Sequence, residues 1–443
     1  MRFGKLKAGL AIAGTLAGMT VLAVQPAYAD YAPTAKDVVG VGSDTLQYLV
    51  DFAADGDQLG DPGFNSNSPK YRLINFDATA DANARLAYGP GGADGQGVAG
   101  QAAGQCNPGD GPTAGTGNQT TTHADAPCQL NPTIVLRAGT SPVQRPNGSG
   151  AGAKALAADT AHYITFSRAS ACEGPTTGCG DNLSSSFDSI EVGTDPLAIL
   201  TGSTTNAVPL SAEQLNAIYA CTDTKWTQVG GTSSDTIIPI IPQVGSGTRS
   251  TFLADIGNPT LGSCVVTGEE NDPTAIAAQS SPADAIEPMS GGRLNLFLGL
   301  LSTGASNGVG GYFKDPSCAL NNINTSSPAT CGSSENTISP AVKFVTTGTP
   351  SDGNPLFDVN RPLYIYFRDS DVNSTTVWQP GGTLNAVRTL FYNPCATGES
   401  GCTTVNGVTY GPGGAPFFAT AGAQTDISAA GINPMYVPEV GGP

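Results

Sequence analysis

The sequence predicts an α/β fold, and two observations support this prediction. Between residues 195 and 257, short β-branched runs alternate with helical patterns in the order DPLAILTG, PLSAEQLNAIYA, TIIPIIPQV and STFLADIG. Near the start of the chain, DVVGV precedes a run in which Leu46, Leu49 and Val50 share one helical face. Alternation of this kind favours helices layered on a mainly parallel sheet. The mature length of about 410 residues suits two domains of ordinary size.

The first element along the chain is a predicted secretory signal. Basic residues and an apolar stretch come first, and Ala27-Tyr28-Ala29 stands directly before Asp30. This layout is typical of a cleavable signal, so we expect residues 1–29 to be removed. No cysteine lies near the cleavage point to carry a lipid, and no second apolar run is long enough to cross a bilayer. We therefore expect a soluble monomer that is secreted or periplasmic.

The charge balance narrows the choice of partners. The net charge is −17, and it becomes −20 when Arg2, Lys5 and Lys7 leave with the signal. Proteins that bind nucleic acid or anionic membranes use basic surfaces to displace counterions. The sequence therefore argues against both of these partners.

Ten cysteines in an exported chain suggest disulfide bonds. Joining neighbours along the chain is one of the connectivities that ten cysteines allow. It gives the pairs Cys106–Cys128, Cys172–Cys179, Cys221–Cys264, Cys318–Cys331 and Cys395–Cys402. The chain has no C-x-x-C motif and only two histidines, so we predict neither a metal site nor a cofactor.

A glycine-rich segment, residues 88–122, is too poor in apolar residues to form a packed element. It separates two predicted strands, YRLINFDA at 71–78 and PTIVLRA at 132–138. We expect a surface insertion tethered by Cys106 and Cys128.

The clearest helix begins at Ser211, which forms an S-x-x-Q capping box with Gln214. Three apolar residues then share one helical face: Leu215, Ile218 and Tyr219. Further along, PLYIYFR at 362–368 predicts a late buried strand. Both elements agree with the α/β class.

Three small-residue loops connect predicted strands to predicted helices. They are GVGSDT at 40–45, RPNGSGAGAK at 145–154 and GSGT at 245–248. The first turn of a helix has unpaired N–H groups and a partial positive charge, so it favours an anion, and Ser or Thr adds a hydroxyl donor. None of the loops is a dinucleotide fingerprint or a Walker loop. The pattern predicts a small ligand rich in acceptor oxygens, such as a tetrahedral oxyanion.

Six segments occur in an order that resembles the phosphate-binding protein of the phosphate ABC transporter, the PstS-like family. They are VGSDTLQYL, RPNGSGAGAKAL, ITFSRAS, PLSAEQLNAIYACTDTKWTQVG, PIIPQVGSGTRSTFL and RPLYIYFR. The resemblance covers most of the mature chain apart from the glycine-rich insertion and parts of the C-terminal region. It implies a two-lobe type II periplasmic-binding-protein fold, with phosphate held in a cleft between lobes joined by crossing strands. Lobe 1 would comprise 30–203 plus 350–443, and lobe 2 would comprise 204–349.

The resemblance also implies a set of ligand-binding residues, which come from four loops. The first lobe would contribute Ser43, Asp44 and Thr45, then Ser149, then Arg168 and Ser170 from the segment 166–170, and the far lobe Ser246, Gly247 and Thr248. An ABC permease would be the natural partner.

Two departures from the family pattern affect this site. Family members often have an acidic residue in the third loop that accepts the phosphate proton and so rejects sulfate, whereas this loop reads FSRAS. Many also have an arginine shortly before the G-S-G-T loop, where this chain has Pro-Gln-Val. We expect Arg168 and Arg249 to supply positive charge, and Asp44 to accept the phosphate proton.

Other functions remain open. Sulfate or another oxyanion is the nearest alternative, and a released surface-interaction protein is a second. Residues 304–308 match G-x-S-x-G but lack the strand-turn-helix context of a nucleophile elbow, so we do not expect an enzyme. The run Asp369-x-Asp371-x-Asn373 begins like a calcium loop but lacks its glycine and terminal glutamate. The acidic turn DGDQLGD at 55–61 is more typical of a solvated loop than of a cation site.

Overall fold

The structure is a computed structural model in which the described residues are 33–56, 62–67, 71–78, 133–141, 143–174, 182–298, 342–373, 386–405 and 407–439. The predicted signal at 1–29, the glycine-rich segment at 88–122 and the G-x-S-x-G motif at 304–308 lie outside these residues. Statements below refer to the described part of the chain.

The framework is a mixed sheet of ten strands. The strands of the chain are β1 (Val38–Gly42), β2 (Leu73–Asn75), β3 (Thr133–Ile134), β4 (Val143–Gln144), β5 (Phe166–Ala169), β6 (Phe187–Gly202), β7 (Ile238–Pro242), β8 (Val266–Gly268), β9 (Ala285–Ser290), β10 (Val342–Phe344), β11 (Val359–Arg368), β12 (Thr403–Val405), β13 (Val408–Tyr410) and β14 (Asn433–Glu439). The order in the large sheet is β2-β1-β5-β11-β6-β9-β7-β8, and β10 and β14 also pair with β6. Two hairpins, β3–β4 and β12–β13, stand apart from it.

The helices connect and cover these strands. They are α1 (Gln47–Asp55), α2 (Phe64–Asn67), α3 (Ser149–Ala158), α4 (Ala212–Tyr219), α5 (Gly247–Asp255), α6 (Thr274–Ala277), α7 (Gly291–Leu298), α8 (Asp369–Asn373), α9 (Ala386–Leu390) and α10 (Ala421–Ala429). Among the described helices, none has both the length and the apolar character needed to span a bilayer.

Strand β6 divides the sheet into two halves. Its first part, Ser189–Thr194, pairs with β11 and β14, whereas its last part, Leu197–Thr201, pairs with β9. We call β2, β1, β5, β11 and β14 the first half-sheet, and β8, β7, β9 and β10 the second half-sheet. The long strand β6 joins the two halves, and β11 runs beside it from Phe187 to Leu197.

The expectation of mainly parallel pairing is wrong for this sheet. The pairs β1–β2, β1–β5, β7–β8 and β7–β9 are parallel, as strand-helix alternation requires. However, β11 runs antiparallel to both β5 and β6, and β9, β10 and β14 run antiparallel to β6. β6 leads into the second half-sheet, and β11 returns from it alongside β6 in the opposite direction, so the two long strands pair antiparallel.

Each half-sheet has apolar packing on its faces. In the first half, Phe166, Ile365 and Phe367 belong to a buried cluster that also includes α1, α9 and α10 residues. In the second half, Leu215, Ile218 and Tyr219 from one face of α4 pack with Trp226 and Phe252. The predicted α4 face is therefore confirmed, and so is the capping box, because the Ser211 hydroxyl accepts from the Gln214 N–H and the Gln214 side chain accepts from the Ser211 N–H.

Two of the five predicted disulfides lie wholly within the described residues, and both are formed. Cys221 is joined to Cys264, and Cys395 is joined to Cys402. Each of the other three predicted pairs includes at least one cysteine outside the described residues. The predicted strand at 362–368 is confirmed by β11, and the short strands β2 and β3 lie within the predicted segments 71–78 and 132–138.

Candidate functional site

Five buried hydroxyl groups meet where the two half-sheets adjoin. We call them the hydroxyl cluster: Ser43, Thr45, Ser149, Ser170 and Thr248, each 2% exposed or less. Ser43 and Thr45 follow β1, Ser149 opens α3, Ser170 follows β5, and Thr248 lies in the first turn of α5. The parallel strands β1 and β5 end at the same edge of the sheet, which brings the loops of Ser43, Thr45 and Ser170 together, and Thr248 meets them from the second half-sheet. All five residues were predicted from the small-residue loops and the family resemblance.

The three serines of the cluster form one hydrogen-bonded group. The Ser43 hydroxyl donates to the Ser170 Oγ at 3.0 Å, and the Ser149 and Ser170 hydroxyls lie 3.3 Å apart. The Ser170 backbone N–H donates to the Ser149 Oγ at 2.9 Å. The parallel β1–β5 pairing fixes this arrangement, because it places Gly42, one residue before Ser43, beside Arg168, two residues before Ser170.

The N-terminus of α5 faces this group from the second half-sheet. Ser246 caps the helix by accepting from the Arg249 N–H, and the Thr248 Oγ1 lies 3.5 Å from the Thr45 Oγ1. Gly247 lies so close to the serines that an added Cβ would lie 2.2 Å from the Ser149 Oγ and 2.5 Å from the Ser170 Oγ. Position 247 therefore has no room for a side chain while the two sides are in contact.

A second backbone contact brings the same sides together. The Gly150 N–H, in the first turn of α3, donates to the Gly245 carbonyl at 3.1 Å. Gly148 has a φ of 104°, and a Cβ there would meet the Gly245 oxygen at 2.3 Å. Glycine is thus required at 148 both by its left-handed backbone and by the close approach.

Arg361, which begins the segment RPLYIYFR and is not among the predicted site residues, brings a guanidinium group into the cluster. Its Nη1 donates to the Thr248 Oγ1 at 2.9 Å, and its Nη2 donates to the Thr45 Oγ1 at 3.3 Å. Its Nε and Nη2 also bind the Asp195 Oδ2, at 3.1 and 2.9 Å. Arg361 and Asp195 are cross-strand partners on β11 and β6, so the two long strands hold this ion pair in place.

The loop after β8, GEEND at 268–272, supplies buried polar groups that sequence reasoning also missed. The Glu270 Oε1 accepts from the Thr248 N–H at 3.1 Å and from the Thr248 hydroxyl at 2.7 Å. The Thr45 hydroxyl donates to the same oxygen at 3.4 Å. Burial raises the pKa of Glu270, and the nearby Asp44 carboxylate raises it further, whereas the Thr248 hydrogen bonds and Arg361 lower it.

Asp44 lies inside the protein rather than at a solvent-facing helix cap. Its Oδ2 forms an ion pair with the Arg293 Nη2 at 3.4 Å and accepts from the Asn271 Nδ2 at 3.1 Å. Asn271 also donates to the Thr45 Oγ1 at 3.1 Å. The carboxylate of Asp44 is therefore held at the edge of the hydroxyl cluster.

The two arginines predicted to supply positive charge make their observed hydrogen bonds elsewhere. The Arg168 guanidinium donates to Asn75 and to the carbonyls of Gly42, Ser43 and Phe76. Burial lowers its pKa to about 10. The Arg249 Nη1 donates to the Pro242 carbonyl at 2.8 Å, and partial burial lowers the pKa of Arg249. In the described residues, Arg361 is the arginine that contacts the cluster hydroxyls.

These groups together can coordinate a small oxyanion. Hydroxyls from both half-sheets and the α5 N-terminus provide donors at short range, and a charge-assisted hydrogen bond contributes about 1.5 to 3 kcal/mol. Local donors of this kind must outweigh the repulsion from a protein of net charge −17.

The calcium-like run at 369–373 and the cysteine pair at 395 and 402 both have structural roles other than metal binding. Asp371 binds His162 at 2.9 Å and Arg368 at 3.3 Å, so it acts in an ion-pair network at the start of α8. Among the described residues, one group has the composition of a metal site: Cys395, Glu399 and Cys402. Its two thiols are joined in a disulfide, so they do not offer thiolate ligands.

A family model described as "PBP superfamily domain" matches residues 108–369, which is more than half of the chain. A search of curated proteins returned no match.

Several solved structures are similar in part. An ABC-type phosphate transport receptor from Vibrio cholerae is 13% identical with a TM-score of 0.37, and the match covers 76% of this chain and 89% of that chain. A putative phosphate ABC transporter substrate-binding protein from Clostridium perfringens, solved with bound phosphate, is 13% identical with a TM-score of 0.37, covering 77% and 89%. PstS from Borrelia burgdorferi is 13% identical with a TM-score of 0.31, covering 78% and 90%.

Proposed function

Because this chain belongs to the PBP superfamily, a superfamily of two-lobe binding proteins rather than enzymes, we propose that it captures inorganic phosphate between its lobes. One observation carries the proposal. Five buried hydroxyls from both half-sheets converge on the N-terminus of α5 beside the Arg361 guanidinium. Such a set of donors suits a ligand with several acceptor oxygens arranged around one centre.

The lobes of this proposal follow the predicted boundaries, 30–203 plus 350–443 and 204–349. The strand pairings support them, because β6 ends at Gly202 and β7 to β10 all lie within the second segment. Closure of the lobes on a ligand would bring the β1, α3 and β5 loops against α5, and would present a changed surface to an ABC permease. In this role the protein is exported by its signal and serves phosphate uptake.

The ten predicted residues take different parts in this site. Ser43, Thr45, Ser149, Ser170 and Thr248 bind the oxyanion through hydroxyls, Gly247 allows the close approach, and Ser246 and Arg249 form the first turn of α5. Asp44 accepts the phosphate proton, and Arg168 positions the β1 and β5 loops.

The test is calorimetric titration of phosphate-stripped mature protein with phosphate and then with sulfate. We expect one phosphate per chain, with affinity weakened by Ser246→Ala and by Arg249→Ala. Asp44→Asn should reduce discrimination against sulfate. If neither anion gives binding heat or raises the melting temperature, the proposed function is rejected. If the Ser246 and Arg249 variants both bind phosphate with wild-type affinity, the place of these two residues in the site is rejected.

Sulfate or another oxyanion is the second candidate, because hydroxyl donors do not themselves distinguish phosphate from sulfate. A lower dissociation constant for sulfate than for phosphate in the same titration would favour this second candidate.

A further inference from the structure

The donors at the N-terminus of α5 already have an acceptor within the protein. The Thr248 N–H and hydroxyl both donate to the Glu270 Oε1, at 3.1 and 2.7 Å. Glu270 is fully buried, and its loop lies in the second half-sheet together with α5. A carboxylate at this position uses the same N–H and hydroxyl groups that an oxyanion would use.

The hydrogen-bond directions around the two threonines support this interpretation. Arg361 can only donate, so the Thr248 and Thr45 oxygens accept from its Nη1 and Nη2. The threonine protons are then directed to the Glu270 Oε1, at 2.7 Å from Thr248 and 3.4 Å from Thr45. The chain from Arg361 through the threonines to Glu270 therefore ends on a carboxylate.

We propose that Glu270 is a built-in competitor for the oxyanion, so that an anion binds at α5 only when the Glu270 carboxylate is protonated or gives up its donors. This proposal rests on the proposed function and identifies what regulates the same site. Two unprotonated anions cannot both occupy a buried position a few ångströms apart without a large energetic cost. Anion affinity must therefore depend on the protonation of Glu270.

The charged groups around Glu270 come from several elements. Asp44 follows β1 and is paired with Arg293 of α7. Arg361 of β11 is paired with Asp195 of β6. Glu173, after β5, interacts electrostatically with Glu270, and burial raises the pKa of Glu173 to about 6.

The neighbouring Glu269 provides a matched control in the same loop. Its Oε1 accepts from the Asn147 Nδ2 at 2.9 Å and not from α5. Glu269→Gln and Glu270→Gln remove the same charge from adjacent buried positions, but only the second removes it from the group that accepts the Thr248 hydrogen bonds.

Sulfate is the appropriate probe because it does not titrate between about pH 5 and pH 9, so any pH dependence comes from the protein. Its dissociation constant would be measured by calorimetry across this range at constant ionic strength. The sign follows from the geometry, because the anion competes with the charged form of Glu270: affinity is greatest at low pH and falls as pH rises through the pKa of Glu270, by up to about tenfold per pH unit. Glu270→Gln should lose most of this pH dependence, keeping only the smaller contribution of Glu173 near pH 6, and should bind sulfate at least tenfold more tightly than wild type at about pH 8. Glu269→Gln should keep the pH dependence of wild type.

Three outcomes would overturn the inference. One is a flat sulfate profile in the wild-type protein, which needs no variant and decides the matter even if Glu270→Gln does not fold. Another is an unchanged pH dependence in Glu270→Gln, and the third is the same loss of pH dependence in Glu269→Gln. If phosphate binds but one of these three outcomes is found, only the role of Glu270 is rejected. If neither phosphate nor sulfate binds at any pH, the proposed function itself is rejected.

Discussion

Replacement of Gly247 by alanine tests whether the two half-sheets must touch for binding. Gly247 is the first residue of α5, and its φ is not in the left-handed region, so alanine suits the helix itself. The obstacle is steric, because the new Cβ would lie 2.2 Å from the Ser149 Oγ and 2.5 Å from the Ser170 Oγ. Ordinary contact would require the loops to separate by about 1 Å.

The size of the effect follows from the hydrogen bonds that this separation affects. A shift of that size would break or weaken two or three donor contacts of the hydroxyl cluster to a shared ligand, each contributing about 0.5 to 1.5 kcal/mol. We therefore expect Gly247→Ala to weaken phosphate binding by about 2 to 3 kcal/mol, which is roughly 30- to 150-fold. Folding should be little affected, because each half-sheet packs against its own apolar clusters.

The assay is calorimetric titration with phosphate, with the melting temperature measured in parallel. Gly422→Ala in α10 is the matched control, because an added Cβ there meets no heavy atom within 4 Å. It should leave phosphate affinity unchanged and stabilise the protein by about 0.5 kcal/mol. Phosphate affinity equal to wild type in Gly247→Ala would refute the requirement for close approach.

Three further predictions concern charge, burial and crosslinking. Arg361→Lys should weaken phosphate binding about tenfold by calorimetry, because an ammonium group cannot bind Asp195 and both threonines as a guanidinium does. Arg72→Lys, the control in an exposed ion pair, should leave phosphate affinity unchanged. Burial raises the pKa of Asp51 well above its usual value, so the wild type loses stability as pH rises from about 4 through that pKa. Urea unfolding should therefore show Asp51→Asn becoming more stable than wild type by up to about 1.4 kcal/mol per pH unit over that range, and an equal stability at all pH values would contradict this. Removing the Cys221–Cys264 disulfide, which closes 43 residues, with serine at both positions should cost about 4 kcal/mol in the same assay, and a loss below about 1 kcal/mol would be inconsistent with the loop-entropy argument.

The parts of the site that could be predicted from sequence are those encoded locally. The S-x-x-Q pattern at Ser211 and the strand-loop-helix pattern around Thr248 depend only on neighbouring residues. The family resemblance added the order of the loops, and the structure brings the predicted serines and threonines together.

The parts that sequence could not provide depend on residues far apart in the chain. Arg361 meets Thr45 because β11 lies between β5 and β6 in the sheet and pairs Arg361 with Asp195 near the junction of the two halves. The sequence feature that could have identified Arg361 is its position directly before the apolar run PLYIYF. A charged side chain that is buried with such a strand requires a charged partner, here Asp195. Glu270 follows a three-residue strand in an acidic loop, and no periodicity distinguishes it from a solvated turn.

The mainly parallel sheet was the larger error. Strand-helix alternation correctly indicates the parallel pairs within each half, but β6 and β11 stand before and after the whole second half-sheet in the chain and pair antiparallel. Local patterns describe each unit and do not reveal how long strands connect them.

The most direct test of the account is a crystal structure of the mature protein at saturating phosphate. The account predicts one phosphate at the N-terminus of α5, within hydrogen-bond distance of the Thr248 N–H and of hydroxyls from both half-sheets, including Ser43 and Ser149. Phosphate bound at another place, or no phosphate at saturating concentration, would contradict it.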